Sequence, residues 1–287
     1  MSEIAVSVTG LRKAYGPHEA LRGIDLEIRV GEVLGLLGPN GAGKTTTVEI
    51  LEGYRKRDAG EVSVLGEDPE QASRAWREQI GVVLQSSSLY ANLQVAEILR
   101  LFAGYYARPR DVDEVIALVG LQEKRKARIR TLSGGQKRRV DLGLALVGDP
   151  ELVFLDEPTT GFDPAARRQA WEMIRGLRSL GKTILLTTHY MEEAQQLCDR
   201  LVVLRDGQIV SEGTPAELTA GAGEAEIRYR RDGELVTVRT AEPTRALHEL
   251  TTAALAEGRE LDGIEVRRPT LEDVYLALTG DEDVEHA

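Results

Sequence analysis

The run Val33–Leu37 followed by Gly38-Pro39-Asn40-Gly41-Ala42-Gly43-Lys44-Thr45 constrains the fold of this chain more than any other feature. Five consecutive apolar residues fit a strand covered on both faces. The next eight complete the pattern G-x-x-x-x-G-K-[ST], and Thr45–Leu51 reads as a helix that stops at Gly53. Strand, glycine turn and helix in this order make a phosphate cradle. Glycines let the backbone wrap an anion, and the N–H groups at the helix start meet it where the dipole favours negative charge. Lys44 is placed for β- and γ-phosphates and the Thr45 hydroxyl for Mg2+, so Gly38 to Thr46 count together as nucleotide-binding candidates. A plain glycine turn would leave the lysine, the hydroxyl and both flanks unexplained.

A second apolar run, Leu152–Leu155, ends in Asp156-Glu157. It delivers two carboxylates at the C-terminal end of a strand, where parallel sheets bind their ligands. Asp156 suits the shell of Mg2+, and Glu157 can polarise an attacking water. Without the phosphate loop the pair would read as an acidic strand end beside a turn.

Around these motifs the pattern alternates strand and helix, which predicts an α/β fold with a mostly parallel sheet. Ile24–Ile28 alternates apolar and charged residues, as a half-buried strand does, and Val62–Leu65, Ile80–Leu84, Thr183–Thr187 and Leu201–Leu204 add short strands. The stretch from about 86 to 149 turns helical and interrupts the sheet as a lobe. Trp171, Ile174 and Leu177 mark one face of a helix that Gly181 would close. Alanine and glycine cluster near residue 221, dividing a domain over 1–221 from a small α+β appendage over 222–287. The appendage reads as a hairpin at Asp232-Gly233, a helix, a strand and a final helix. Thr270 caps that last helix, Leu271, Val274 and Leu278 share one face, and Gly280 ends it.

Between the two nucleotide motifs stands Thr131-Leu132-Ser133-Gly134-Gly135-Gln136. With the phosphate loop before it and the acidic strand after it, this segment resembles the signature motif of ABC transporter ATPases. Ser133 is a natural N-cap for a helix whose free N–H groups can bind phosphate. The resemblance implies that Ser133, Gly134, Gly135 and Gln136 complete the site of a second copy, with ATP held between two chains. It also implies that Tyr15 stacks on adenine, that Gln85 touches Mg2+ and links the site to membrane subunits, and that His189 contacts the γ-phosphate. Asp163, in Thr160-Gly161-Phe162-Asp163, matches the loop that crosses the dimer interface, although the family more often has leucine at Phe162. The matching positions run from Tyr15 to His189. They imply a nucleotide-binding core with a β-rich N-terminal subdomain and a helical lobe, and ATP with Mg2+ as cofactors. Lys137, Arg138 and Arg139 read as a solvated helix face.

The rest of the composition narrows the partners. Forty-seven carboxylates against 36 basic residues, a formal charge of −11, argue against nucleic acid. No apolar run approaches the ~18 residues of a membrane-spanning helix, so a pore would come from another chain. A single cysteine, Cys198, excludes an internal disulfide and fits a reducing compartment. Pro269–Gly280 and Thr188–Ala194 resemble segments of the ATPases that drive daunorubicin-resistance-type exporters. That resemblance implies a dimer on separate permeases at the cytoplasmic face of the membrane, exporting a drug, antibiotic or other amphipathic compound. An importer or a polysaccharide or lipid exporter is the alternative within the class. A soluble ABC ATPase of DNA repair or translation would carry a coiled-coil insertion or second cassette, and none is evident.

Overall fold

A computed structural model describes residues 3–83, 90–220, 223–231 and 233–280. They form two compact units, Met1–Thr214 and Pro215–Ala287. In chain order the first contains β1 (Ile4–Tyr15), β2 (His18–Arg29), β3 (Val33–Leu37), α1 (Lys44–Leu51), β4 (Ala59–Val64), α2 (Arg74–Arg77), β5 (Ile80–Val83), α3 (Val95–Ala103), α4 (Val112–Leu118), α5 (Gly134–Leu146), β6 (Leu152–Asp156), α6 (Pro164–Ser179), β7 (Thr183–Thr187), α7 (Met191–Leu197), β8 (Arg200–Arg205) and β9 (Gln208–Gly213).

Six strands form one sheet in the order β5-β6-β7-β3-β8-β9, and only β9 runs antiparallel to its neighbour. All five residues of β3 and of β7 are buried, which is why both read as unbroken apolar runs. The N-terminal subdomain is an antiparallel sheet, β2-β1-β4. Its inward residues Val6, Val8, Leu26 and Ile28 share one core with Leu34 and Leu36 of β3, Leu51 of α1 and Phe154 of β6. Each such side chain contributes roughly 1.5–3 kcal/mol on burial. Strand β1 was not singled out in the sequence, although Val6 and Val8 alternate with Ser7 and Thr9 as the sheet requires.

Helices α3, α4 and α5 build the lobe. Helix α6 buries Trp171, Ile174 and Leu177, and its end is a Schellman motif: the N–H groups of Gly181 and Lys182 donate to the carbonyls of Arg178 and Leu177 at 2.9 and 3.2 Å. Gly181 holds φ 77° there.

The second unit contains α8 (Pro215–Ala220), β10 (Ala225–Arg231), β11 (Glu234–Thr240), α9 (Pro243–Ala256), β12 (Asp262–Arg267) and α10 (Leu271–Thr279). Its sheet is antiparallel, in the order β11-β10-β12. The division between units falls at Thr214/Pro215, ahead of the alanine–glycine cluster at which the sequence suggested it. Thr270 caps α10 in a capping box with Asp273, and Gly280 closes it at φ 68°. The buried positions of α10 are Leu271, Tyr275 and Thr279, with Val274 and Leu278 half-buried beside them. The apolar face is therefore turned toward Tyr275 from the Leu271–Val274–Leu278 line read in the sequence.

Candidate functional site

Three adjacent strands, β6, β7 and β3, end on the same edge of the parallel sheet. They deliver the glycine loop, the Asp156-Glu157 pair and the Thr187–His189 segment to one place. The loop is held tightly against β2. A Cβ on Gly43 would lie 2.7 Å from the carbonyl oxygen of Ala20, and its φ of 106° is one that side chains rarely adopt. A Cβ on Gly38 would come closer still to the carbonyl oxygen of Leu204. Both glycines are therefore required by contact as well as by turn geometry.

Lys44 is 8% exposed, and its ammonium donates to the carbonyls of Gly38 at 2.5 Å and Pro39 at 3.1 Å. Burial lowers its pKa, while the charges of Glu157 and Asp156 oppose that shift. The buried ammonium thus faces two carboxylates across a cleft of about 320 Å3. Tyr15, His18, Ala20, Asn40, Thr45 and Thr46 line the same cleft. Tyr15 stands at its rim, 40% exposed, with the Lys13 ammonium and the Arg55 guanidinium over its ring at 5.7 and 5.2 Å.

Asp156 and Glu157 are oriented by β7. In the parallel register Asp156 lies opposite Thr187, whose hydroxyl donates to the Asp156 carboxylate at 2.5 Å. The Glu157 N–H points to the same hydroxyl at 3.0 Å. Glu157 holds φ 44°, a left-handed conformation that costs a non-glycine residue roughly 1–2 kcal/mol. The Thr160 hydroxyl donates to its carboxylate at 3.2 Å, and His189 Nδ1 lies 3.5 Å from it.

Arg138 corrects the reading of a solvated basic face. Its guanidinium is half-buried and donates to the carbonyls of Asp156 at 2.8 Å and of Glu157 and Pro158 at 3.3 Å. Burial lowers its pKa. One arginine of the run Lys137–Arg139 thus stitches α5 to the acidic strand end. Sequence carried no signal for this, nor for Thr187, because both partners lie at least 18 residues away.

Ser133 N-caps α5, accepting from the Gln136 N–H at 3.3 Å while its own N–H donates to the Gln136 side chain at 3.1 Å. The residues Ser133, Gly134, Gly135 and Gln136 do not line the phosphate cleft. Ser133 and Gly134 are exposed. Asp163 also stands outside that cleft, as the N-cap of α6 through the Ala166 N–H at 2.8 Å. Phe162 packs into a small apolar cavity with Leu155, Pro158 and Ile174. Gln85 falls in residues 84–89, outside the described residues.

Strand ends that gather a glycine cradle, a buried lysine and an acidic pair define a phosphate-loop nucleotide-binding protein. Residues 21–160 match the ABC transporter family, and residues 212–270 match the C-terminal domain described as ABC transporter domain-containing protein-like. Similarity extends along the whole chain to Nod factor export ATP-binding protein I of Rhizobium sp. (strain N33), 40% identical over 98% of this chain and 99% of that one. Daunorubicin resistance ATP-binding protein DrrA3 of Streptomyces coeruleorubidus is 39% identical over 98% of both chains. The fold is similar to CbiO1 of Clostridium perfringens, part of the ABC transporter complex CbiONQ, with TM-score 0.70, 29% identity and coverage of 76% of this chain and 92% of that. A dimeric bacterial ABC transporter cassette gives TM-score 0.65 at 25% identity, over 73% and 98%. The chain belongs to the ABC transporter family, as one of its ATP-binding, ATP-hydrolysing subunits.

Proposed function

We propose that this chain powers an exporter, acting as a pair of copies on separately encoded membrane permeases at the cytoplasmic face of the membrane. The observation that carries export is the length of the similarity. Relatives named for Nod factor export and daunorubicin resistance align with 98% of the chain, through the appendage as well as the ATPase unit. A drug, antibiotic or other amphipathic compound is the cargo class these names support. Among the described residues no helix is long and apolar enough to cross a membrane, in keeping with a pore made by other chains.

The site residues support a division of roles. The loop from Gly38 to Thr46, through its backbone N–H groups other than at Pro39, and the Lys44 ammonium take the phosphates, with Lys44 exchanging its two carbonyl acceptors for phosphate oxygens. Tyr15 takes the base. Thr45 and Asp156, with Gln85, form an oxygen donor set of the kind Mg2+ prefers. When bound, Mg2+ neutralises charge on the β- and γ-phosphates. Glu157 is the water-orienting base, and His189 beside it reads the γ-phosphate. Ser133–Gln136 and Asp163 lie outside the cleft, which supports their serving the nucleotide of a second copy.

Glu157→Gln tests the chemistry. Its turnover is expected to fall at least a hundredfold while ATP binding persists, and an ATP-bound dimer should elute as a larger species. Phosphate release at the unmutated rate removes Glu157 from this role. Export is read in inverted vesicles carrying the permeases, where ATP should drive an amphipathic dye inward. ATP-driven release of preloaded dye would reverse the direction.

A further inference from the structure

Glu193 of α7 is a carboxylate with no exposed surface, and the chemistry above leaves it unused. One of its oxygens, Oε1, accepts the Thr159 hydroxyl at 2.8 Å and the Trp171 indole N–H at 2.9 Å. Thr159 is itself fully buried and lies two residues after Glu157. The Thr188 hydroxyl, next to His189, is another of the groups that stabilise the Glu193 charge. A carboxylate shut away from water is costly unless its contacts are specific. Here the hydrogen bonds to Oε1 reach the turn after β6 and helix α6, Oε2 has no hydrogen-bond partner among the described residues, and α7 itself starts two residues after His189.

A second route reaches the same histidine. Arg167 stabilises the Glu193 charge and sets its guanidinium 4.2 Å over the Tyr190 ring. The Tyr190 ring in turn packs against His189 with centroids 4.1 Å apart. Thr159, Trp171, Thr188 and Arg167 are thus the groups that face Glu193, with the buried Cys198 also sensing its charge. Burial pushes the Glu193 carboxyl up, and these groups offset only part of that rise.

We propose that Glu193 is a positioning residue for hydrolysis, a buried brace that locks the Glu157 turn and the His189 turn into one rigid unit. It is fully buried and lines no part of the phosphate cleft. Its work is to hold the His189–Glu157 pair, 3.5 Å apart here, in register as ATP arrives. This inference rests on the assignment of Glu157 and His189 proposed above.

The test uses the full-length protein and reads binding and turnover separately. Glu193→Ala is expected to lower kcat about tenfold or more while the Kd for ATP stays within about twofold, since the groups named around Glu193 lie outside the phosphate loop. Glu193→Gln retains the Oε1 acceptor for Thr159 and Trp171 and should recover most of the turnover. Because Glu193→Ala may be read only if it folds, Thr159→Val provides an independent arm: it removes the hydroxyl from the other end of the bond. Thr159→Val should lower kcat, and with Glu193→Ala it should combine with less than multiplicative loss, since either change alone breaks the same bond. A kcat at the unmutated level in Thr159→Val, or fully multiplicative effects in the double variant, overturns the brace. Loss of ATP affinity in step with kcat would also overturn it, as would loss of thermal stability with kcat per folded molecule unchanged. Glu157→Gln run in parallel separates the two readings. If it hydrolyses ATP normally, the catalytic assignment fails first; if it is inactive and the Glu193 and Thr159 variants are normal, only the brace fails.

Discussion

Glu52, just past the end of α1, is a single side chain whose environment the sequence could not announce. Burial raises its pKa to about 8, with the charges of Asp156 and Glu49 adding to the effect. The folded pKa lies above the ordinary glutamate value of 4.5, so the folded state binds the proton more tightly. The stabilising contribution is complete below about pH 4.5 and is lost as pH rises through about 8. Within that window stability should fall by on the order of 1 kcal/mol per pH unit from this group. Glu52→Gln should flatten the slope and be the more stable protein at pH 8, measured by urea unfolding between pH 5 and 8.5. Parallel curves for the two proteins would show that Glu52 ionises freely in the folded state. Burial raises the pKa of Glu193 as well, there against the opposing hydrogen bonds from Thr159 and Trp171.

Among the elements, α6 shows how one residue type can have opposite effects within a few positions. Gly176 is exposed within the helix, and a Cβ there would meet nothing within 4 Å. Gly176→Ala should stabilise the protein by about 0.5–1 kcal/mol, because alanine loses less backbone entropy in a helix. Gly181 stands at φ 77° in the Schellman turn, where open space around the Cβ does not relieve the backbone. Gly181→Ala should cost about 1–2 kcal/mol. Chemical denaturation of the two variants side by side decides this, and equal signs would refute the assignment of the helix end. The cap and the Trp171–Ile174–Leu177 stripe of α6 were legible because both are local patterns. Strand β1 and the burial of Tyr275 were less so. A twelve-residue strand with register shifts breaks its own alternation, and α10 has apolar residues on more than one side.

For the whole molecule, the proposed sharing of sites between copies has a direct test. Ser133→Arg chains mixed with Lys44→Ala chains can form a dimer with one intact composite site and one doubly broken site. Recovery of ATP-dependent dimerisation or turnover in the mixture, absent from each variant alone, is the expected result. A mixture as inactive as its components would place Ser133 and the phosphate loop at the same nucleotide of one chain. The second unit is assigned no part in hydrolysis, because every proposed nucleotide residue precedes Thr214. Truncation after Thr214 should leave ATP binding measurable while dimer lifetime or permease-coupled transport falls. A truncated chain that folds by circular dichroism but binds no ATP would tie the second unit to the site.

Sequence alone determined the phosphate loop, the acidic strand end, the helix caps and the parallel alternation, because each is a short-range pattern of residue size, charge and backbone freedom. It also picked out the loop and the acidic pair that meet at the cleft, since each carries its chemistry within a few consecutive residues. Only the tertiary structure decided what holds that chemistry in place. Thr187 meets Asp156 across 31 residues, Arg138 reaches the same strand end across 18, and Glu193 meets Thr159 across 34. Those pairings follow from the register of β6 against β7 and from helices laid over the sheet. Neither register nor helix placement is written in any local run of residues, because both are settled by the packing of the whole core.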